Sequence, residues 1–143
     1  MDSYTAIRNH EALVRFFGKW PSFDDFEVVS MLLKRSEDDE EFWPTLTVTF
    51  LGFRHDVPVE SPVRNNCIVV LRFGGLENMA VNGFNHQNAI NGLVIKANWS
   101  ERRKRDMFTV DLIQGFGVGA KFDCVEIDLV SVTQTTHKIR GSH

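Results

Sequence analysis

Cysteine, tyrosine, proline and long apolar runs are all scarce in this chain: its 143 residues hold 2 Cys, 4 Pro and 1 Tyr. Cys67 and Cys124 stand far apart in apolar stretches, and the chain has no CxxC pair and no Cys/His cluster. That excludes a structural zinc of the usual spacing, and two unpaired thiols suit a reducing, cytoplasmic setting. The longest unbroken apolar run is only Cys67 to Leu71, and the first twenty residues carry no apolar signal core. The expectation is a chain that neither spans a membrane nor carries an export signal. Basic charge is short as well. With 16 Lys and Arg against 19 Asp and Glu, the net charge is −3 and the pI about 5.9, which argues against sequence-independent nucleic-acid binding. No serine lies in a G-x-S-x-G context, so no nucleophile elbow is present.

Hydrophobic residues are abundant, at 43% of the chain, and the 10 glycines bring the apolar share to about half, the usual globular range. Twelve Phe and three Trp promise a core filled by rings without hydroxyls. The length suits one domain, which we place over residues 1–139. Residues 140–143, Arg-Gly-Ser-His, are set aside as a vector remnant or disordered tail.

One helix is expected near the start. Asn9 stands where it can cap, Glu11 falls in the first turn, Leu13, Phe16 and Phe17 share a face, and Gly18 can close the helix. Beyond Trp20-Pro21 the period becomes two. Strands are expected at 26–35, 45–50, 67–73, 93–99, 107–113 and 121–132. In 45–50, Leu46, Val48 and Phe50 face one way and three threonines the other. The last strand changes phase at Val130, the signature of a bulge or sharp bend. Turn-rich segments separate the strands, with no helical patterns between them, so parallel βαβ units are not expected. The predicted fold class is α+β: a mainly antiparallel, curved sheet of about six strands with the N-terminal helix packed on one face. The Pro-containing stretch 52–66 is expected to be an exposed excursion, His55 and Asp56 included.

Two charge runs interrupt this pattern. Arg102, Arg103, Lys104 and Arg105 form a basic run bracketed by Glu101 and Asp106, best read as a solvated hairpin. Glu37, Asp38, Asp39, Glu40 and Glu41 form an acidic run with no such balance. Five adjoining carboxylates repel one another, and a basic partner relieves that repulsion. Trp43 beside them reads equally as an interface anchor or as a core ring.

The segment Trp20-Pro-Ser-Phe-Asp-Asp-Phe-Glu-Val28 is the most individual in the chain. On a strand, Asp25 and Glu27 would share a face and could hold a proton or a cation between them. As a turn, the same acids would bond local backbone while Trp20 and Phe23 plug the core. The pair alone makes no metal site, so neither a metal nor any other cofactor is assigned. The run Gly115-Phe-Gly-Val-Gly-Ala120 formally matches G-x-G-x-x-A, but KFDCVEIDLV after it is built for a strand and the dinucleotide reading is rejected. Asn82-Gly83 and Asn91-Gly92 are turn signals around Asn85, His86, Gln87 and Asn88, which read either as a hydrogen-bonding recognition loop or, as expected here, as a helical turn whose amides satisfy buried backbone.

Taken together, FFGKW, WPSFDDFEV, VVLRF, GFNHQNAINGL and FGVGAKFDCVEI resemble the immunity protein 50 family of bacterial polymorphic toxin systems. The resemblance runs from about Leu13 to about Val132, and Trp20, Pro21, Phe23, Asp25 and Glu27 carry its most specific motif. Asp24 departs from the family pattern, where a His often stands, so no shared catalytic set is implied. What the resemblance does imply is a small cytoplasmic protein, not an enzyme, that binds and neutralises a cognate toxin domain. Its contact residues would include Glu37, Asp38, Asp39, Glu40, Glu41 and Trp43, and it would act as a monomer or weak homodimer. The alternative is a small metal-assisted or acid–base hydrolase using Asp25 and Glu27.

Overall fold

Alternating apolar residues build most of this molecule, and the 45–50 strand and the central strands bury the face their sequence marks, while Leu32 and Leu33 at the far end of the 26–35 strand stay exposed. A computed structural model describes residues 4–35, 44–61 and 64–135. A short 3-10 turn and helix α1 (His10–Phe17) precede eight strands: β1 (Glu27–Arg35), β2 (Pro44–Gly52), β3 (Cys67–Gly74), β4 (Glu77–Asn82), β5 (Ile90–Ser100), β6 (Arg105–Gln114), β7 (Gly119–Cys124) and β8 (Glu126–Gln134). All named strand pairs are antiparallel, as expected. Along β2, Leu46, Val48 and Phe50 are buried while Thr45, Thr47 and Thr49 are half-buried.

The strands form two four-stranded sheets, in the orders β1-β2-β3-β8 and β4-β7-β6-β5. This corrects the expectation of one sheet of about six strands, for two physical reasons. First, the long segment expected at 121–132 is two strands that divide at Val125, whose N–H bonds to the Gly74 carbonyl at 2.8 Å. There the chain leaves one sheet and enters the other. Second, β4 was not expected at all. Its ENMAVN sequence is polar and mostly exposed on a sheet edge, so it carries no apolar alternation. The phase change at Val130 is a bulge: Val70 pairs with Ser131 and Leu71 with Leu129, leaving Val130 over.

The two sheets meet again at the other side. The Asp25 N–H bonds to the Ile90 carbonyl at 2.8 Å, the Ile90 N–H to the Phe26 carbonyl at 3.0 Å, and the Val28 N–H to the Asn88 carbonyl at 3.0 Å. These bonds stitch the start of β1 to the start of β5. One apolar cluster lies between the sheets, with Phe73 of β3 set edge-on to Phe122 of β7 at 5.0 Å.

Helix α1 lies against β8 and closes its free edge. Arg8, just before the helix, pairs in parallel with Asp128, and its guanidinium grips the Asp128 carboxylate, one bond measuring 2.9 Å. Leu13 and Phe17 are buried and Phe16 is partly buried. Gly18 ends the helix at φ +84°, its N–H bonding the Val14 carbonyl at 2.7 Å. Asn9 differs from expectation: it holds the N-cap position at φ +66° but makes no side-chain cap bond. Asn91-Gly92 also differs, being a bulge inside β5 rather than a turn.

The basic run forms the β5–β6 hairpin, and part of it folds back on β4. Arg102 and Arg103 both bind Glu77, with Arg103 Nε at 2.6 Å from Oε2. Burial pushes the Glu77 carboxyl up, and the two arginines outweigh that and hold it below its usual value.

Cys67 and Cys124 are buried and unpaired, and burial pushes both thiols from 9.0 up to about 12. The folded state therefore keeps its two thiol protons in a range where the unfolded chain gives them up. Stability should fall as pH rises from about 9 toward 12, by about 1.4 kcal/mol per pH unit for each thiol. Urea midpoints measured from pH 8 to 11 should decline steeply in the parent and less so in Cys67→Ala/Cys124→Ala.

Candidate functional site

The WPSFDDFE segment is a turn before it is a strand. Phe23 and Asp25 both sit in left-handed backbone, at φ +63° and +64°, a conformation that costs about 1–2 kcal/mol for residues with a Cβ. Burial and hydrogen bonds hold it there. Phe23 is fully buried against Trp20, Phe26 and Phe50, with ring centroids at 5.7, 4.9 and 5.3 Å. The Phe26 N–H closes the turn on the Phe23 carbonyl at 3.0 Å. Ring contacts continue both ways from this point. Trp20 stacks on Tyr4 at 4.7 Å, and Phe26 reaches Phe53 at 5.9 Å and His55 at 6.1 Å. Behind Phe53, the Arg64 guanidinium lies over the ring at 4.0 Å.

A cleft of about 420 Å³ opens between this segment and the loop after β2, walled by Phe17, Trp20, Phe53 and His55, with Lys19 and Arg54 at its charged side. Arg54 is not an open cation. It binds Asp56 through two bonds of 2.9 and 2.6 Å, and that bonding holds the Asp56 carboxyl below its usual value. His55 is exposed, as expected, but it is not idle. Its ring stacks near Phe53 at 4.5 Å, and its ligating nitrogen lies with carboxylate oxygens of Asp24 and Asp25 inside a mutual distance of 4.8 Å.

The acids of the motif therefore part company. Asp25 joins Asp24 and His55, whereas the buried Glu27 carboxylate accepts the Asn88 N–H at 3.4 Å. Asn88 is buried too, and its amide serves three backbone groups. Oδ1 accepts the N–H of Asn85 at 2.8 Å and of Val118 at 3.1 Å, while Nδ2 donates to the Asn85 carbonyl at 2.8 Å. The polar loop thus satisfies buried backbone, as expected from its amides. Gly117 in the facing loop must stay glycine: at φ +82° an added Cβ would meet the Gln87 carbonyl oxygen at 2.1 Å and Asn88 Oδ1 at 2.5 Å. The Gly-rich run that mimics a nucleotide fingerprint is the loop between β6 and β7, and no helix follows it.

Of the residues singled out from the sequence, Trp20 and Pro21 line the cleft, Phe23 packs in the core against Trp20, and Asp25 and Glu27 belong to the β1–β5 stitch. Glu37, Asp38, Asp39, Glu40, Glu41 and Trp43 lie outside the described residues, as do 140–143. His55, Asp24 and Asn88 were given no site role from the sequence. In the sequence His55 stands beside Asp56 in the Pro-containing 52–66 stretch, and thirty residues separate it from its partners.

Asn88→Ala would leave the buried Val118 N–H without an acceptor, at a cost of about 1–3 kcal/mol, and would also remove the part-buried bonds to the Asn85 N–H and carbonyl. We expect a loss of about 3 kcal/mol in urea unfolding, with an unchanged m-value.

Comparison with known proteins gives one assignment. The family described as Immunity protein 50 matches residues 9–135, most of the chain. No curated protein and no solved structure matches it.

Proposed function

The chain belongs to the immunity protein 50 family, and from that membership we propose that it binds a cognate toxin domain and neutralises it by surface complementarity. The match over 9–135 is the observation that carries this reading. In this account the protein makes and breaks no bond, works in the cytoplasm as a monomer or weak homodimer, and does not bind nucleic acid. No helix among the described residues is long and apolar enough to cross a membrane.

The contact surface we assign is the β1 edge with the acidic residues that follow it. β1 is an edge strand of its sheet. Leu32 and Leu33 on it are 61% and 58% exposed, an unusual cost for apolar side chains unless something covers them. In sequence, β1 leads directly to Glu37, Asp38, Asp39, Glu40 and Glu41 and then to Trp43. Apolar anchors beside a dense acidic run suit a partner with a basic cleft. The charges would steer encounter and the apolar groups would slow release.

Co-expression with the neighbouring toxin gene should restore growth and yield a stoichiometric complex. Replacing the five acids with Gln and Asn should lower the association rate at low salt by about tenfold or more, and the difference should shrink as salt rises. Association that is unchanged by these replacements would remove the acidic run from the contact.

A further inference from the structure

We propose that Asp24, Asp25 and His55 form a binding site for a divalent first-row transition-metal ion of the zinc or manganese type. This site stands apart from the toxin-binding surface and does not depend on it. Three donor groups converge here from two separate segments, with one candidate ligand atom from each inside 4.8 Å of the others. Neighbouring residues on a strand point to opposite faces. The left-handed turn at Asp25 is what allows Asp24 and Asp25 to offer their carboxylates to one side. The imidazole arrives independently, from the loop after β2, with its ring packed at 4.5 Å from Phe53. Among the described residues, none of these three side chains is engaged in a hydrogen bond or ion pair. Their donor atoms are therefore open to a ligand.

The donor set selects the ion. Two carboxylates match a dication's charge, and an imidazole nitrogen favours zinc, manganese, cobalt or nickel over magnesium and calcium, which prefer oxygen throughout. Bond lengths of 2.0–2.2 Å would place the donors about 3.3–3.6 Å apart around a tetrahedral ion. Closing from at most 4.8 Å needs a shift of no more than about 1.5 Å, within the rotamer freedom of Asp24 and His55, both exposed. Asp25 is the fixed member, since its N–H is tied to the Ile90 carbonyl at 2.8 Å. Cations near the site do not oppose it strongly: Arg54 is paired with Asp56, and Lys19 is exposed to solvent. Three protein ligands leave a fourth position for water or an incoming donor, and His55 forms part of the wall of the 420 Å³ cleft where such a group would enter.

The test is calorimetric titration of chelator-treated protein with zinc, manganese and cobalt chlorides, paired with thermal melts. Saturable binding of one equivalent is expected, with a raised melting temperature and no comparable rise with magnesium. Asp24→Asn and His55→Gln should each weaken affinity at least tenfold while leaving the metal-free melt unchanged. His86→Gln, far from the cluster in sequence and bonded to Asn85, should bind as the parent does. Absence of saturable binding in the parent, or ligand variants that bind as tightly as the parent, would overturn the proposal.

Discussion

A buried carboxylate and a buried amide, Glu27 and Asn88, hold together what the apolar core alone would leave as two sheets. Buried polar groups are costly unless their bonds are complete. Here the Asn88 amide serves Asn85 and Val118, and the Asn88 backbone serves Glu27 and Val28. Each bond joins a different piece of chain: the end of the β4–β5 loop, the entry to β7 and the start of β1. The stitch between β1 and β5 follows from this hub. At the opposite side the sheets need no stitch, because β3 runs into β4 and β7 into β8 almost without a break.

The same constraint places the motif. With the start of β1 fixed to β5, the residues ahead of it must turn sharply, and Phe23 and Asp25 take up left-handed backbone to do so. Phe23 offsets that strain by filling the core. Asp24 and Asp25, turned to one side, are left with no core to enter and face the loop that carries His55. Gly52 belongs to this arrangement, since a Cβ there would lie 2.5 Å from the Phe26 ring. A stretch that looks like a catalytic acid pair in one dimension is thus chiefly a packing and turning device, with its open donor atoms beside His55, which walls a cleft. The surface proposed to meet a toxin, the β1 edge, is continuous in the chain with that stretch.

Much of this was legible in one dimension. The threonine alternation in β2, the apolar centre of β3, the bulge at Val130 and the closing Gly18 all report local backbone physics, which sequence carries directly. The motif's Trp20, Pro21 and Phe23 carried the family resemblance that the family match bears out. What stayed hidden depends on distance in sequence. β4 lacks a buried face, so no periodicity marks it. The division at Val125 is a decision between two sheets, both of which accept its neighbours. Glu27 and Asn88 are sixty-one residues apart, and His55 lies thirty beyond Asp25. Nothing in residue type or spacing announces such meetings. Asn9 and Asn91-Gly92 show the reverse case, local signals overruled by the packing around them.

The Glu27–Asn88 hub makes the two sheets one cooperative unit. Native-state hydrogen exchange reads it directly, through the amides of Asp25, Val28, Ile90 and Val118. These amides should exchange only through global unfolding, with the same free energy and denaturant dependence as core amides of β3 and β6. Exchange of the four through a local opening, several kcal/mol below the global value and insensitive to denaturant, would contradict it.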